Sequence, residues 1–129
     1  MSNLIHWMER AAAVSMLSNH DRVRIGAVIV KGNYLIATGW NQKKSHPMQA
    51  KYNVHRELEC SNYIHAEIHS LVRSGREDVT GSTIYVYREN KSGEEANCKP
   101  CAACTRAIYD AGISRVYYTT EEGIESYDV

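Results

Sequence analysis

Apolar positions recur three and four apart at the start of the chain. Leu4, Trp7, Met8, Ala11, Val14 and Leu17 form one stripe, which predicts an amphipathic helix capped by Ser2 or Asn3. The pattern then changes to β-branched runs. "VRIGAVIV" and "YLIATGW", joined by the tight turn "KGN", predict an antiparallel hairpin in which Gly32 and Gly39 read as turn glycines. Residues 41–62, "NQKKSHPMQAKYNVHRELECSN", are polar and follow neither period. A connection of this length either serves function or hides a helix. Periodicity returns as a helix over 64–73 stopped by Gly75, then the strand "STIYVYR". Pro100 suits the first position of another helix, which ends near Ala111 with Gly112 as its stop, and "SRVYYTT" is the last strand read. The order α-β-β-α-β-α-β predicts an α/β fold, a mixed sheet with helices on its faces, in a single domain over residues 1–129.

Composition narrows the function. Lys plus Arg and Asp plus Glu both number 15, so there is no cationic surplus of the kind a dedicated nucleic-acid binder needs. No apolar run reaches the ~18 residues of a membrane span, and "MSNLIHWMERAAAV" lacks the pattern of a secretion signal. The expected compartment is the cytoplasm, where thiols stay reduced and clustered cysteines point to metal or catalysis rather than disulfides.

Three of the four cysteines crowd into "CKPCAAC". Cys101 and Cys104, three apart at a helix start, share one face, and the positive end of the helix dipole favours their thiolates. Upstream, "YIHAEI" offers His65 and Glu67. They are two apart, which would splay them in a helix interior. A helix capped by Ser61 or Asn62 places His65 in the looser first turn. His65, Cys101 and Cys104 then make three zinc ligands, leaving the open fourth position of a catalytic site. Two thiolates and a neutral imidazole cancel the charge of Zn²⁺, so the bound water needs a nearby base. Glu67 fills that role.

"HAE" followed by "PCAAC" resembles the zinc-dependent cytidine and deoxycytidylate deaminases, whose signature is H-x-E…P-C-x-x-C. "GAVIV…ATGWN" is similar to that family's first hairpin. "ACTRAIYDAGISRVYY" is similar to the helix and strand after the cysteines in deoxycytidylate deaminases and, more distantly, tRNA adenosine deaminases. The resemblance implies a three-layer α/β/α sandwich around a mixed sheet of about five strands. It implies one catalytic zinc on His65, Cys101 and Cys104, and Glu67 as the proton shuttle between the attacking water, the ring nitrogen and the departing amine. It places the Ala66 backbone near the base and Asn41 near a sugar hydroxyl. The substrate it implies is a free cytosine nucleotide, dCMP converted to dUMP plus ammonia, handled by a homo-oligomer without nucleic acid or membrane. Deoxycytidylate deaminases under allosteric control carry a Gly-rich loop after the hairpin Asn. "NQKKSHP" replaces it here, so no such control is expected.

Other readings stand beside these. Cys98 reads as a bystander, with two alternatives: a closed Cys₃His structural zinc, or a second zinc on Cys60, Cys98 and a loop histidine. Cys60 reads as a small buried residue and His69 as a residue deeper on the same helix face or at the surface. His6, His20, His46 and His55 read as loop or surface histidines, and Asn41 is also a plain turn residue by type. Lys44, His46 and Arg56 are candidate ligands for a 5′-phosphate, or else a solvated polar surface. The competing functions are a tRNA or polynucleotide deaminase and a non-catalytic, zinc-stabilised interaction protein.

Overall fold

Alternation in the hairpin is the origin of the layering. Along β1 (Val23–Lys31), Ala27 and Ile29 face one side and Val28 and Val30 the other, and all four are buried. A strand apolar on both faces needs cover on both. In this computed structural model, which describes residues 3–56, 63–90, 92 and 97–129, it has that cover. Helix α1 (Asn3–Ser15) lays Trp7, Met8 and Ala11 on Val28, Val30 and Tyr85. The opposite face carries α2 (Pro47–Asn53), α3 (Ala66–Ser74) and α4 (Ala102–Ala111) over Ala27, Ile29, Ile84, Val86 and Val116. The result is the three-layer α/β/α arrangement.

With β2 (Tyr34–Trp40), β3 (Thr83–Asn90), β4 (Arg115–Thr120) and β5 (Gly123–Asp128), the sheet runs β2-β1-β3-β4-β5. Only β3 and β4 pair in parallel; the other neighbours are antiparallel. Strand β5 and helix α2 were not assigned as elements from the sequence. The hidden-helix alternative for residues 41–62 is correct for Pro47–Asn53. There His46 is the N-cap, its Nδ1 accepting the Met48 N–H at 3.0 Å, and Pro47 opens the first turn.

Two glycines set the helix–sheet spacing. A Cβ on Gly26 would stand 2.1 Å from the Ala11 carbonyl oxygen, so α1 rests directly on β1. A Cβ on Gly39 would stand 2.3 Å from Ser70 N and 2.4 Å from the Ala66 carbonyl oxygen. The turn assignment of Gly39 is therefore corrected: it lies inside β2 and lets the start of α3 sit against the sheet. Gly32, at φ +62°, is the turn glycine. Among the described residues no helix is long and apolar enough to cross a membrane.

Candidate metal centre

Both helices that carry the motif begin later than the sequence predicted. His65 is the N-cap of α3, with φ −81° and ψ 155°, and its carbonyl accepts the first helical bond from His69 N–H at 2.9 Å. Cys101 is the N-cap of α4, with φ −69° and ψ 173°, and its carbonyl accepts from Thr105 N–H at 2.8 Å. Pro100 thus precedes the cap instead of opening the helix. The proposed capping residues Ser61 and Asn62 lie outside the described residues. Extended backbone at His65 removes the splay expected of two helical residues two apart. His65 and Glu67 therefore both belong to one site.

Three donors converge there. His65 Nδ1, Cys101 Sγ and Cys104 Sγ all lie within 4.8 Å of one another. Nδ1 is 3.6 Å from Cys101 Sγ and 3.3 Å from Cys104 Sγ. Tetrahedral zinc with ordinary Zn–S and Zn–N bonds separates such ligand atoms by roughly 3.6 Å. The donor set and its spacing therefore fit zinc with little movement. No other group of three or more such donors occurs among the described residues.

The electrostatics match the placement. A hydrogen bond from Cys104, opposed by burial and helped by His65, holds the Cys101 thiol down to about 3. Cys104, the donor of that bond and fully enclosed, is held well above the usual thiol range. Burial alone would lower His65. The Cys101 hydrogen bond and the nearby Glu67 charge raise it instead. Burial lifts the Glu67 carboxyl above the ordinary carboxylate range, with His65 opposing and Cys101 adding to the lift. Glu67 also hydrogen-bonds Cys104, so the carboxyl stands at the ligands and is only 5% exposed.

Cys98 has a different environment. Its thiol donates to the Val86 carbonyl at 3.1 Å and lies 3.3 Å from Thr119 Oγ1; burial pushes it up to about 12. A protonated thiol committed to the strand backbone is a bystander, and the Cys₃His alternative is set aside. The same holds for Cys98 in a second zinc site; Cys60, its other cysteine, lies outside the described residues. His69 accepts the Trp40 N–H at 3.0 Å through Nδ1 and meets the Trp40 ring edge-on at 4.5 Å, so it fastens α3 to β2.

Beside His65 is a cavity of about 170 Å³, lined by His20, Val23, Ile25, Asn41, Gln42, Tyr63, Ile64 and His65. Asn41 is buried in its wall. Its Oδ1 accepts the Ile25 N–H at 2.9 Å and its Nδ2 donates to the Val23 carbonyl at 3.2 Å, leaving a second amide hydrogen. Lys44, His46 and Arg56 are not among the lining residues. Lys44 and His46 act electrostatically on His69, and Arg56 acts on His65. Sequence reasoning missed two residues. His20 lines the cavity instead of being an ordinary loop histidine. Gln49, wholly buried on α2, accepts the His65 N–H at 3.0 Å. Neither carries a motif; a lone Gln on the apolar side of a short helix was the only available signal.

Two helix starts on one face of the sheet that present an imidazole, two thiols and a buried carboxyl belong to the zinc-dependent hydrolytic class. The family model described as "Cytidine and deoxycytidylate deaminase zinc-binding region" matches residues 1–120, and the chain belongs to that family. It is 32% identical to the deoxycytidylate deaminase of Mycobacterium phage D29, over 86% of this chain and 89% of that protein. It is 30% identical to the deoxycytidylate deaminase of Schizosaccharomyces pombe over 95% of this chain, and spans 38% of that longer protein. The crystal structure of dCMP deaminase from cyanophage S-TIM5 in complex with dCMP and dUMP superposes with a TM-score of 0.66 at 28% identity, covering 93% of this chain and 84% of that one.

Proposed function

We propose that this chain, as one domain over residues 1–129, is a zinc-dependent hydrolytic deaminase of a free cytosine nucleotide, converting dCMP and water to dUMP and ammonia. The observation that carries the reading is the convergence of His65, Cys101 and Cys104 at two helix starts with Glu67 enclosed beside them. Zinc bound there would acidify a water and so supply the nucleophile. Glu67, shielded from bulk water, carries one proton of the attacking water to the ring nitrogen, then takes the second from the hydroxyl of the adduct and delivers it to the departing amine. The Ala66 N–H, one of the first-turn donors of α3 without a helical acceptor, holds the base. The second Asn41 amide hydrogen reaches a sugar hydroxyl. A cavity of about 170 Å³ suits a single-ring base. The names of the phage and yeast relatives support the substrate.

The test is ammonia release by zinc-loaded protein with dCMP, deoxycytidine, CMP and a tRNA anticodon stem-loop. Turnover of dCMP that vanishes in Glu67→Ala while zinc stays bound is the expected result. Activity on the stem-loop alone would make the chain a nucleic-acid editor, and zinc binding with no turnover would favour the interaction protein. The reading includes a reducing cytoplasm, supported by the free thiols Cys98, Cys101 and Cys104. It also includes a homo-oligomer, checked by sedimentation.

A further inference from the structure

Helix α2 touches both halves of the metal centre. It lies against α4, which begins at Cys101, and against α3, whose N-cap is His65. Seven residues cannot sustain a helix in water without such contacts, so its position is set by what grips it. Two of its side chains are buried, Gln49 and Tyr52, three apart on one face. They reach different helices.

Gln49 holds the α3 side. Its Oε1 accepts the His65 N–H at 3.0 Å, and its Nε2 donates to Asn53 Oδ1 at 2.8 Å, which fixes the orientation of the amide. Tyr52 holds the α4 side, where its hydroxyl donates to Asp110 Oδ2 at 3.0 Å. Asp110 stands in the last turn of α4, about 9 Å along the axis from Cys104. Burial, then the bond and charge of Asp110, raises the Tyr52 phenol, so the hydroxyl remains a donor at neutral pH. The same carboxylate pairs with Arg106 Nε at 3.0 Å, but that ion pair lies within α4 and is half-exposed, so it joins nothing to α2. Ile64 N–H donates to the Lys44 carbonyl at 2.8 Å, which ties the chain ahead of His65 to the segment after β2; α2 ties it to α4.

We propose that α2 is a strut that sets the distance between the histidine and cysteine halves of the metal centre, with Tyr52 and Asp110 as positioning residues that act on His65 through Gln49. This rests on the zinc-enzyme reading above and deepens it. Cys101 and Cys104 are fixed in α4, while His65 belongs to a separate helix that rests on β2. A tetrahedral ion tolerates little error in the spacing between them. Cutting the strut at its α4 end would leave the fold standing and loosen the site.

The experiment measures zinc affinity by chelator competition, the visible spectrum of Co²⁺-loaded protein and dCMP turnover, with urea unfolding as the check on folding. Tyr52→Phe keeps the buried ring and loses the hydroxyl; Asp110→Ala removes the same bond from a half-exposed position. Each is expected to weaken zinc at least ~5-fold, short of the ~10–100-fold typical when a ligand's direct partner is lost, and to alter the Co²⁺ bands that report ligand geometry. Arg106→Gln, which breaks only the ion pair within α4, is expected to change zinc affinity less than ~2-fold. In the Gln49→Leu/Tyr52→Phe double variant, zinc is expected to bind as in Gln49→Leu alone, because the strut is already cut. Unchanged zinc affinity in folded Tyr52→Phe and Asp110→Ala, or additive losses in the double variant, would overturn the proposal. If those variants hold zinc as wild type does while wild type turns over dCMP, the strut fails and the deaminase reading stands. If zinc weakens as expected but wild type turns over no cytosine nucleotide, the deaminase reading fails and the strut stands.

Discussion

Gln49 and His65 are joined across the start of α3: the buried Gln49 carboxamide accepts the His65 N–H at 3.0 Å and donates to Asn53 Oδ1 at 2.8 Å. The short helix in the unpatterned loop therefore holds the backbone of a residue of the proposed zinc site. Replacing Gln49 by Leu leaves that N–H unsatisfied in a closed space. The expected cost is about 1–3 kcal/mol of stability together with weaker zinc retention. Thermal unfolding and chelator competition measure the two effects. A stable Gln49→Leu protein holding zinc as tightly as wild type would show that the contact is incidental.

Gly39 controls the approach of α3 to β2. Gly39→Ala puts a methyl against Ser70 N and the Ala66 carbonyl, both backbone atoms that cannot rotate away. Displacement of the α3 start is expected, with a loss of about 1–3 kcal/mol and a fall in kcat. Chemical denaturation and steady-state kinetics check it.

Zinc content separates the cysteines. Cys98→Ala is expected to retain one zinc per chain, because its thiol serves Val86 and Thr119 and stays protonated to about pH 12. Cys101→Ser is expected to lose zinc. Metal analysis of both proteins after gel filtration decides the matter. Zinc lost from both would return Cys98 to the ligand set.

His69 makes stability depend on pH. Burial, then the charge of Arg73, lowers it to about 4 in the folded chain from an ordinary 6.5. The unfolded chain therefore binds the extra proton first as pH falls, and stability drops between about pH 6.5 and 4. With discounting for its partial exposure the effect is about 1–2 kcal/mol. His69→Asn, which keeps an acceptor for Trp40 N–H, should flatten that part of the profile relative to wild type. Parallel profiles in urea titrations from pH 7 to 4 would remove His69 as the cause.

What could be read in the sequence follows from where burial leaves a periodic trace. The hairpin, β3 and β4 are rich in buried β-branched residues, and the first helix carries a clear stripe. The convergence of His65, Cys101 and Cys104 was legible because the residue types and spacing of a metal site are dictated by coordination chemistry. Strand β5 left no trace, because "GIESYD" is half-exposed and its apolar positions are few. Helix α2 has only seven residues and a histidine cap. The helix starts were misplaced because Ser, Asn and Pro, the usual signals, lie ahead of the true caps. His20 and Gln49 act through loops and helices brought together only by the tertiary fold.

The two cap positions have one more consequence. The His65 imidazole makes no hydrogen bond to its own helix and the Cys101 sulfur bonds Cys104, the other thiol of the cluster, although a good N-cap contributes about 1 kcal/mol. Both helices begin with their capping side chains turned to another task, and that task is shared. An ion held by both would act as a common clasp on two otherwise loose ends. Chelation should then be felt first as faster amide exchange at Ala66–Ile68 and at 102–104, before the sheet between them yields.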